Sequence, residues 1–499
     1  MKTLNRYCVL PVAGLLGSLV GATPALAQWS SDPAASLIVS DIAGGNTQPK
    51  IVPAPDGGFY VSWFSDTGGF DIYLQRLDAG GNALWPHNGI LVADRDYGFT
   101  YDYGLAVDAD GNAFVAFNCC ASGADEHIAV SKVNPDGTLA WGAGGIALST
   151  AGEGVYNAYV TAASDGNVVV AWSADNGVRA QRLDQAGDTS WADGGIELTQ
   201  PAAALKLLGD VEPAENGNVI VSWSNQAGSA RILTAQKLAA ADGAVLWGDN
   251  AVRVFGEGNL QAGYYPPFIT DGAGGAVFYD YDYAGGSFVP RVQHLDANGT
   301  ALLGANGVVA TTDTTMDHVG TSASYDAASG DIYVVWDDNY TGDDFQDYDG
   351  VSAQRIDAAG NLAWGDTGKV LVPPANSTDG TEAISQLIAL PAPGGFLASW
   401  VTGAIPAADQ PLTVAGLAST GDYLWTQQTV AVKTLGYTGR AVAAVGSGGF
   451  AVYAWQDGDD DAGTSTIAAQ NLNFDGTLGT EVDDTIFVDG FDGAPVLAP

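Results

Sequence analysis

Cations are what this chain lacks most. Its 499 residues hold 17 Lys and Arg against 57 Asp and Glu, a formal net charge of −40. Such a field repels the phosphates of nucleic acid and anionic membrane surfaces and draws cations in, so no nucleic-acid partner is expected. Cysteine is almost absent: of the 3 present, Cys8 lies in the N-terminal leader, leaving too few for a disulfide framework or a Cys-rich zinc site. The 4 histidines (His87, His127, His294, His318) stand in different stretches without zinc-ligand spacing. Gly-x-Ser-x-Gly, phosphate-loop and HExxH signatures are missing. No helical hydrophobic period is found, and beyond the leader no apolar run nears the ~18 residues that cross a bilayer. What is abundant is glycine (67) and an apolar fraction of 46%, enough for a sizeable core.

Residues 1–27 read as a secretory signal. Lys2 and Arg6 form the charged end, residues 9–22 the apolar stretch, and Ala25-Leu26-Ala27 the small-residue cleavage site. Pro11 and several glycines interrupt the apolar stretch, which argues against a membrane anchor, and Cys8 has no lipobox around it. The mature chain is expected outside the cytoplasm of a bacterium (periplasmic, extracellular or cell-surface), as a monomer.

The organising unit is residues 49–94. A short apolar segment, PKIVPA, meets a turn at Asp56-Gly57-Gly58, and FYVSWF follows as a β-branched and aromatic run. DIYLQRL alternates at period two, Asp78-Ala79-Gly80-Gly81-Asn82 turns again, and ALWPHNGILVA forms a fourth extended segment opened by its tryptophan. The unit recurs to residue 473. Its second-strand aromatics fall at Trp63, Phe117, Trp172, Trp223, Phe278 or Tyr279, Trp336, Trp400 and Trp455, spaced from 51 residues (Trp172 to Trp223) to 64 (Trp336 to Trp400). A second series holds Trp85, Trp141, Trp191, Trp247, Trp364 and Trp425, with Leu303 and Leu478 in two of its places.

Four strands per unit at this period predict an all-β fold, a single eight-bladed β-propeller of four-stranded antiparallel blades over residues 28–480. Regular tryptophan spacing suits radial packing between blades, each indole burying ~150–250 Å²; a row of ligand-stacking tryptophans is the functional alternative. The eighth repeat lacks the second-series tryptophan, whereas Trp29 and Ser36-Leu37-Ile38-Val39-Ser40 supply the missing pattern. The N-terminal strand is therefore predicted to close the last blade and remove two sheet edges.

GLAVDADGNAFVAF followed by NPDGTL resembles the repeat of NHL-type propellers, and ADGAVLW and DAAGNLAW resemble repeats of quinoprotein (PQQ) propellers. These motifs are turn and core residues, so the resemblance implies a fold far more than a function. The turns are also similar to sialidase Asp boxes, without keeping the Ser-x-Asp-x-Gly-x-Thr-Trp spacing. The tail, residues 481–499, contains DTIFVDGFDG, which resembles a segment ending many exported bacterial proteins; a sorting tag and a frayed terminus are both open.

Function is expected on the face opposite the uniform Asp-Gly turns, where the loops are long and unlike one another. Tyrosine and aspartate dominate these loops, for example ADRDYGFTYDYG (93–104), GEGVYNAY (152–159), GYYPP (263–267), YDYDYAGG (279–286) and DDNYTGDDFQDYDG (337–350). Carboxylates accept sugar hydroxyls while aromatic faces stack on the sugar ring, which makes Tyr101, Asp102, Tyr103, Tyr265, Tyr281, Asp282 and Tyr340 the candidate ligand-binding set. Oxygen-rich loops also suit calcium: Asp457, Asp459 and Asp461 have alternate-ligand spacing, though the next glycine, Gly463, comes one place late, and Asp343, Asp347 and Asp349 form a looser cluster. A solvated acidic loop is the ordinary alternative in each case. His318, beside Asp317, is the histidine worth testing, and His294 reads as structural.

Cys119 and Cys120 are adjacent and, after signal cleavage, have no other partner in the chain. A disulfide between neighbours, two small buried thiols and an interchain bond are all open. Quinoprotein dehydrogenases combine such a ring with eight blades and a calcium, but the family's longer cofactor-site sequence is absent around these cysteines, and few cations are available for an anionic quinone. The sequence thus points to an exported binding or interaction module for a glycan or an extracellular protein. A carbohydrate-active enzyme with loop carboxylates is the first rival, and a quinoprotein-like oxidoreductase the second.

Overall fold

The computed structural model describes residues 28–480 except residues 99, 121–125, 176, 204, 262, 264, 285, 405–407 and 459–463, and the side chain of Ala284. The expected signal and tail segments lie outside the described residues. Thirty-two strands form eight antiparallel four-stranded sheets. Each blade follows one plan: Asn46–Pro53, Phe59–Asp66, Phe70–Leu77 and Ile90–Ala93 make the first, paired in chain order. Among the described residues the one helical element is the 3-10 turn Glu215–Gly217, and no helix is long and apolar enough to cross a membrane.

The sheets pack face to face around a ring, first strands toward the axis. Second strands carry the core, which is why they are apolar on both faces rather than alternating. Phe59–Asp66 is buried at every residue but its last, and Trp63, Trp172, Trp223, Trp336 and Trp455 are fully enclosed between blades. The ring closes as the sequence predicts. Leu37–Ser40 pairs antiparallel with Thr466–Asn473 (Leu37 opposite Ala469, Ile38 opposite Ala468), giving the eighth blade its outer strand.

The second tryptophan series stands in a different place from the one its sequence position suggests. Trp85 lies in the turn before the fourth strand, and that strand is short, Ile90–Ala93 in blade 1 and only Ile146–Ala147 in blade 2. These tryptophans form a repeated joint. Each indole donates its Nε1 hydrogen to a backbone oxygen in the third-to-fourth-strand turn of the next blade: Trp85 to Pro135 (3.2 Å), Trp191 to Ala240 (3.1 Å), Trp247 to Ala297 (3.0 Å), Trp364 to Ser419 (3.1 Å) and Trp425 to Phe474 (2.9 Å). The ring lies on that turn's glycine, as Trp85 does on Gly137, whose φ of +87° and lack of a Cβ are both required. The outer strand has two residues in blades 2 to 5, whereas in blade 6 it runs Lys369–Asn376 although Trp364 makes the same contact.

A second clasp uses five of the chain's 17 Lys and Arg residues. At one position of the third strand, Arg76, Lys132, Arg182, Lys237 and Arg355 each reach the neighbouring blade's turn carbonyl. Arg76, Arg182, Lys237 and Arg355 also pair with a carboxylate of their own blade, Asp56, Asp165 and Glu215 in the first turn and Asp331 at the start of the second strand. In blade 5 the position is His294, 3.0 Å from Asp271.

Candidate functional site

Because first strands are innermost, their side chains and the loops entering them line the axis. On one side of it, blades 1 to 5 enclose a cavity of about 300 Å³ whose wall includes Lys50, Asp102, Tyr159, Asp210, Glu212 and Tyr265. The inner strands here are irregular, as are those of blades 6, 7 and 8. The pairing register jumps between Thr47 and Lys50 in blade 1, between Val155 and Ala158 in blade 3 and between Leu208 and Asp210 in blade 4. Glycines at Gly104 and Gly209 let neighbouring elements approach: a Cβ on Gly104 would lie 2.5 Å from the Val160 nitrogen, and one on Gly209 would lie 2.7 Å from Ser222 Oγ.

Lys50 Nζ lies 2.7 Å from Asp102 Oδ1, and Tyr159 donates its hydroxyl to Asp102 Oδ2 at 2.7 Å. The ammonium also stands 5.4 Å from the ring centroids of both Tyr103 and Tyr159. Burial raises the Asp102 carboxyl, but the Lys50 charge and the hydrogen bonds from Lys50 and Tyr159 outweigh it and hold the group below its ordinary value. Asp210 behaves oppositely. Burial pushes it up to about 7, the amides of Val211 and Phe268 and the Lys50 charge oppose, and Asp102 adds repulsion. Glu212 is also raised, by burial and by Asp210, which stands two residues away on the same side of the strand. Both side chains keep some surface on the cavity while protein crowds their other sides.

The predicted ligand-binding residues fall in four places. Asp102, Tyr103 and Tyr265 reach the axial cavity. Tyr103 is fully buried, sharing a hydrogen bond with Ser62 (2.8 Å) and donating to the Gln48 oxygen (3.0 Å), so it supports the wall more than it offers a face. Tyr101 sits among Tyr97 and Tyr156, its ring edge-on to Tyr156 at 5.6 Å. In blade 5, Tyr281 packs edge-on against Phe288, while Asp282 lies 3.2 Å from Arg291, whose guanidinium also grips Asp280 through two hydrogen bonds. In blade 6, Tyr340 stacks on Tyr348 at 4.9 Å on a hairpin tipped by the exposed Phe345.

The described aspartates proposed for calcium do not form a group of converging ligand atoms. Asp343 and Asp347 are exposed, Asp347 accepting from Thr341, while Asp349 is buried and accepts from Asn339. Asp457 lies 3.0 Å from the Lys433 ammonium, and Asp459 and Asp461 lie outside the described residues. Among the described residues, the group whose ligand atoms converge is Cys119, Cys120 and His127, within 4.8 Å. There the two sulfurs are joined as a disulfide. His318 is buried, its Nδ1 2.6 Å from Asp338 Oδ1, and Trp336 donates to the same carboxylate at 2.7 Å.

Lys50, Asp210 and Glu212 were not among the sequence candidates. Each carries a signal in retrospect: a charged side chain inside an apolar inner-strand segment, PKIVPA for the lysine and LLGDVEP for the two acids.

No protein-family model matches the chain, and no curated protein is similar to it in sequence. Solved structures of similar shape include the polysaccharide lyase Uly1 (11% identity, covering 87% of this chain and 91% of that one, TM-score 0.41). They also include a Penicillium chrysogenum alpha-L-arabinanase complexed with arabinobiose (12%, 88% and 99%, TM-score 0.38). A third is the GH93 alpha-L-arabinofuranosidase of Fusarium graminearum with arabinobiose (9%, 88% and 96%, TM-score 0.37). Likeness at this level says nothing about activity, and this chain is an eight-bladed β-propeller on the strength of its own eight sheets.

Proposed function

We propose that the protein binds a glycan in the axial cavity of blades 1 to 5. The observation that carries this is the convergence of the Tyr159 and Tyr265 side chains with Asp102, Asp210, Glu212 and Lys50 around one cavity. Aromatic faces cover the apolar side of a sugar ring, while carboxylates and an ammonium accept from and donate to its hydroxyls. The reading rests on these side chains and not on the lyase, arabinanase and arabinofuranosidase named above. Titration of the mature protein with a panel of oligosaccharides tests it, with Asp102→Asn and Tyr159→Ala as variants; a panel without a single binder sinks it.

Glycan cleavage is the second reading, favoured by the opposed environments of Asp102 and Asp210. A carboxylate held ionised facing a carboxyl held protonated is the arrangement that divides base from acid. Release of reducing ends or unsaturated products by the wild type, lost in Asp102→Asn and in Asp210→Asn, would establish it; glycan bound but unchanged after long incubation would leave binding alone. Calcium at Asp457, Asp459 and Asp461 is a separate proposal, in which the ion displaces Lys433. Calorimetry with calcium chloride and an Asp457→Asn control tests that.

A further inference from the structure

We infer that the half of the axial cavity bounded by Tyr265, Asp210 and Glu212 recognises a protonated primary amine, so that the glycan is an amino sugar with its amine free. This rests on the glycan reading and names the ligand's class.

The protein itself shows how this site treats an ammonium. Lys50 Nζ is held by the Asp102 carboxylate at 2.7 Å, with the rings of Tyr103 and Tyr159 each 5.4 Å away. The other half repeats those ingredients, a tyrosine and two carboxyl groups, and among the described residues Lys50 is the one cationic side chain on the cavity wall. Asp210 and Glu212 lie two residues apart on a strand and so present their carboxyls to one side. A ligand ammonium there would meet charge-assisted hydrogen bonds and an aromatic face, the two interactions that most favour an amine over a hydroxyl.

A separate observation points to the same spot. Glu212 is on the cavity wall, and among the described residues no hydrogen bond or ion pair engages its carboxyl. A crowded carboxyl without a donor is costly, and a ligand N–H supplies the missing bond. The chain's net charge of −40 adds a field that concentrates a cationic ligand.

The groups facing Asp210 are Lys50 and Asp102 across the cavity, Glu212 on its own strand, Tyr159 from blade 3 and Tyr279 from blade 5. A ligand ammonium stabilises the ionised carboxyl, so binding expels a proton from Asp210 to solvent. Affinity then strengthens as pH rises toward 7, where free Asp210 loses its proton unaided.

The experiment is calorimetry in two buffers of different ionisation enthalpy. The probes are a glucosamine oligosaccharide, its fully N-acetylated counterpart, a glucose oligosaccharide and a simple alkylamine. The expected result is that the glucosamine oligosaccharide binds about tenfold more tightly than the acetylated and neutral sugars. Proton release should accompany that binding, and the preference should vanish in Asp210→Asn and Glu212→Gln. Both variants are close in shape to the native side chains, and the wild-type pH series gives the same answer should either fail to fold. Equal binding of all three sugars overturns the amine inference and leaves glycan binding standing. Binding of the alkylamine without any sugar keeps the amine site and removes the glycan reading; binding of none removes both.

Discussion

Trp29 donates its indole hydrogen to the backbone oxygen of Ala79 at 2.9 Å, across 50 residues of sequence. Its ring lies on Gly81, 2.8 Å from where a Cβ would be. This is the same joint that Trp85 makes with Pro135 and Gly137, so the seam where the chain's two ends meet is built like the joints inside it. Trp29→Ala should therefore cost about 3–5 kcal/mol, as a core tryptophan does, and match Trp191→Ala measured by denaturant unfolding. Deleting residues 28–41 removes the strand as well and should lead to aggregation or a much lower Tm. A truncated protein that melts like the parent would mean that Leu37–Ser40 does not hold the ring shut.

Blade number, strand count and closure were legible because each rests on a local pattern repeated many times: alternation, Asp-Gly turns and an aromatic at one second-strand position of every unit. The axial site was not, because its residues come from the first strands of different blades and meet only once the ring is formed. Asp102 was noticed because it stands in a tyrosine-rich loop. Lys50, Asp210 and Glu212 sit in strands that look like ordinary inner strands, and nothing local says that they face a cavity. Tyr281, Asp282 and Tyr340 share composition with the site but lie in blades 5 and 6, where Phe288, Arg291 and Tyr348 engage them. Composition marks a loop; only register decides where it points.

Asp337 should make the fold pH-dependent. Burial, then the charges of Asp349 and Asp338, push its carboxyl up to about 8 against a hydrogen bond from the Gly350 amide, and its Oδ1 has no partner. In the unfolded chain the group titrates near ~3.9. Between those values the folded state holds a proton that the unfolded state has lost, so stability falls as pH rises from about 4 to about 8. Asp337→Asn, whose amide can donate to the neighbouring carboxylates, should raise Tm by about 2 °C or more at pH 8 and have little effect at pH 4. An identical Tm-versus-pH slope in wild type and variant would show that the charge is relieved some other way.

Lys50 and Asp102 should be strongly coupled in stability. Lys50→Met leaves Asp102 partly buried with its Tyr159 hydrogen bond but no opposing charge. Side-chain exposures of 27% and 34% mean that water screens the pair, so the loss should be about 1 kcal/mol and not the value of a dry ion pair. Adding Asp102→Asn should recover most of it. Additive losses in the double mutant would show that the two charges do not interact, and the electrostatic account of Asp102 would fall with them.

The disulfide at Cys119 and Cys120 should contribute little to global stability. A ring closed between neighbours with no residue in between barely restricts the unfolded chain, so the entropic benefit of a cross-link is nearly absent. What it constrains is local. Cys119 ends the second strand of blade 2 and is buried against the blade 1 core, and the Asn118 oxygen just before it accepts the Arg95 Nε hydrogen at 2.7 Å. Asn118 also donates to Glu126, which accepts the Tyr97 hydroxyl at 2.8 Å. Replacing both cysteines with alanine should shift Tm by no more than about 2 °C, yet speed amide hydrogen exchange at residues 118–127. Intact-mass analysis of the denatured, unreduced protein tests the premise: two thiols open to alkylation, or a dimer split by reductant, would mean that these sulfurs are not bonded to each other.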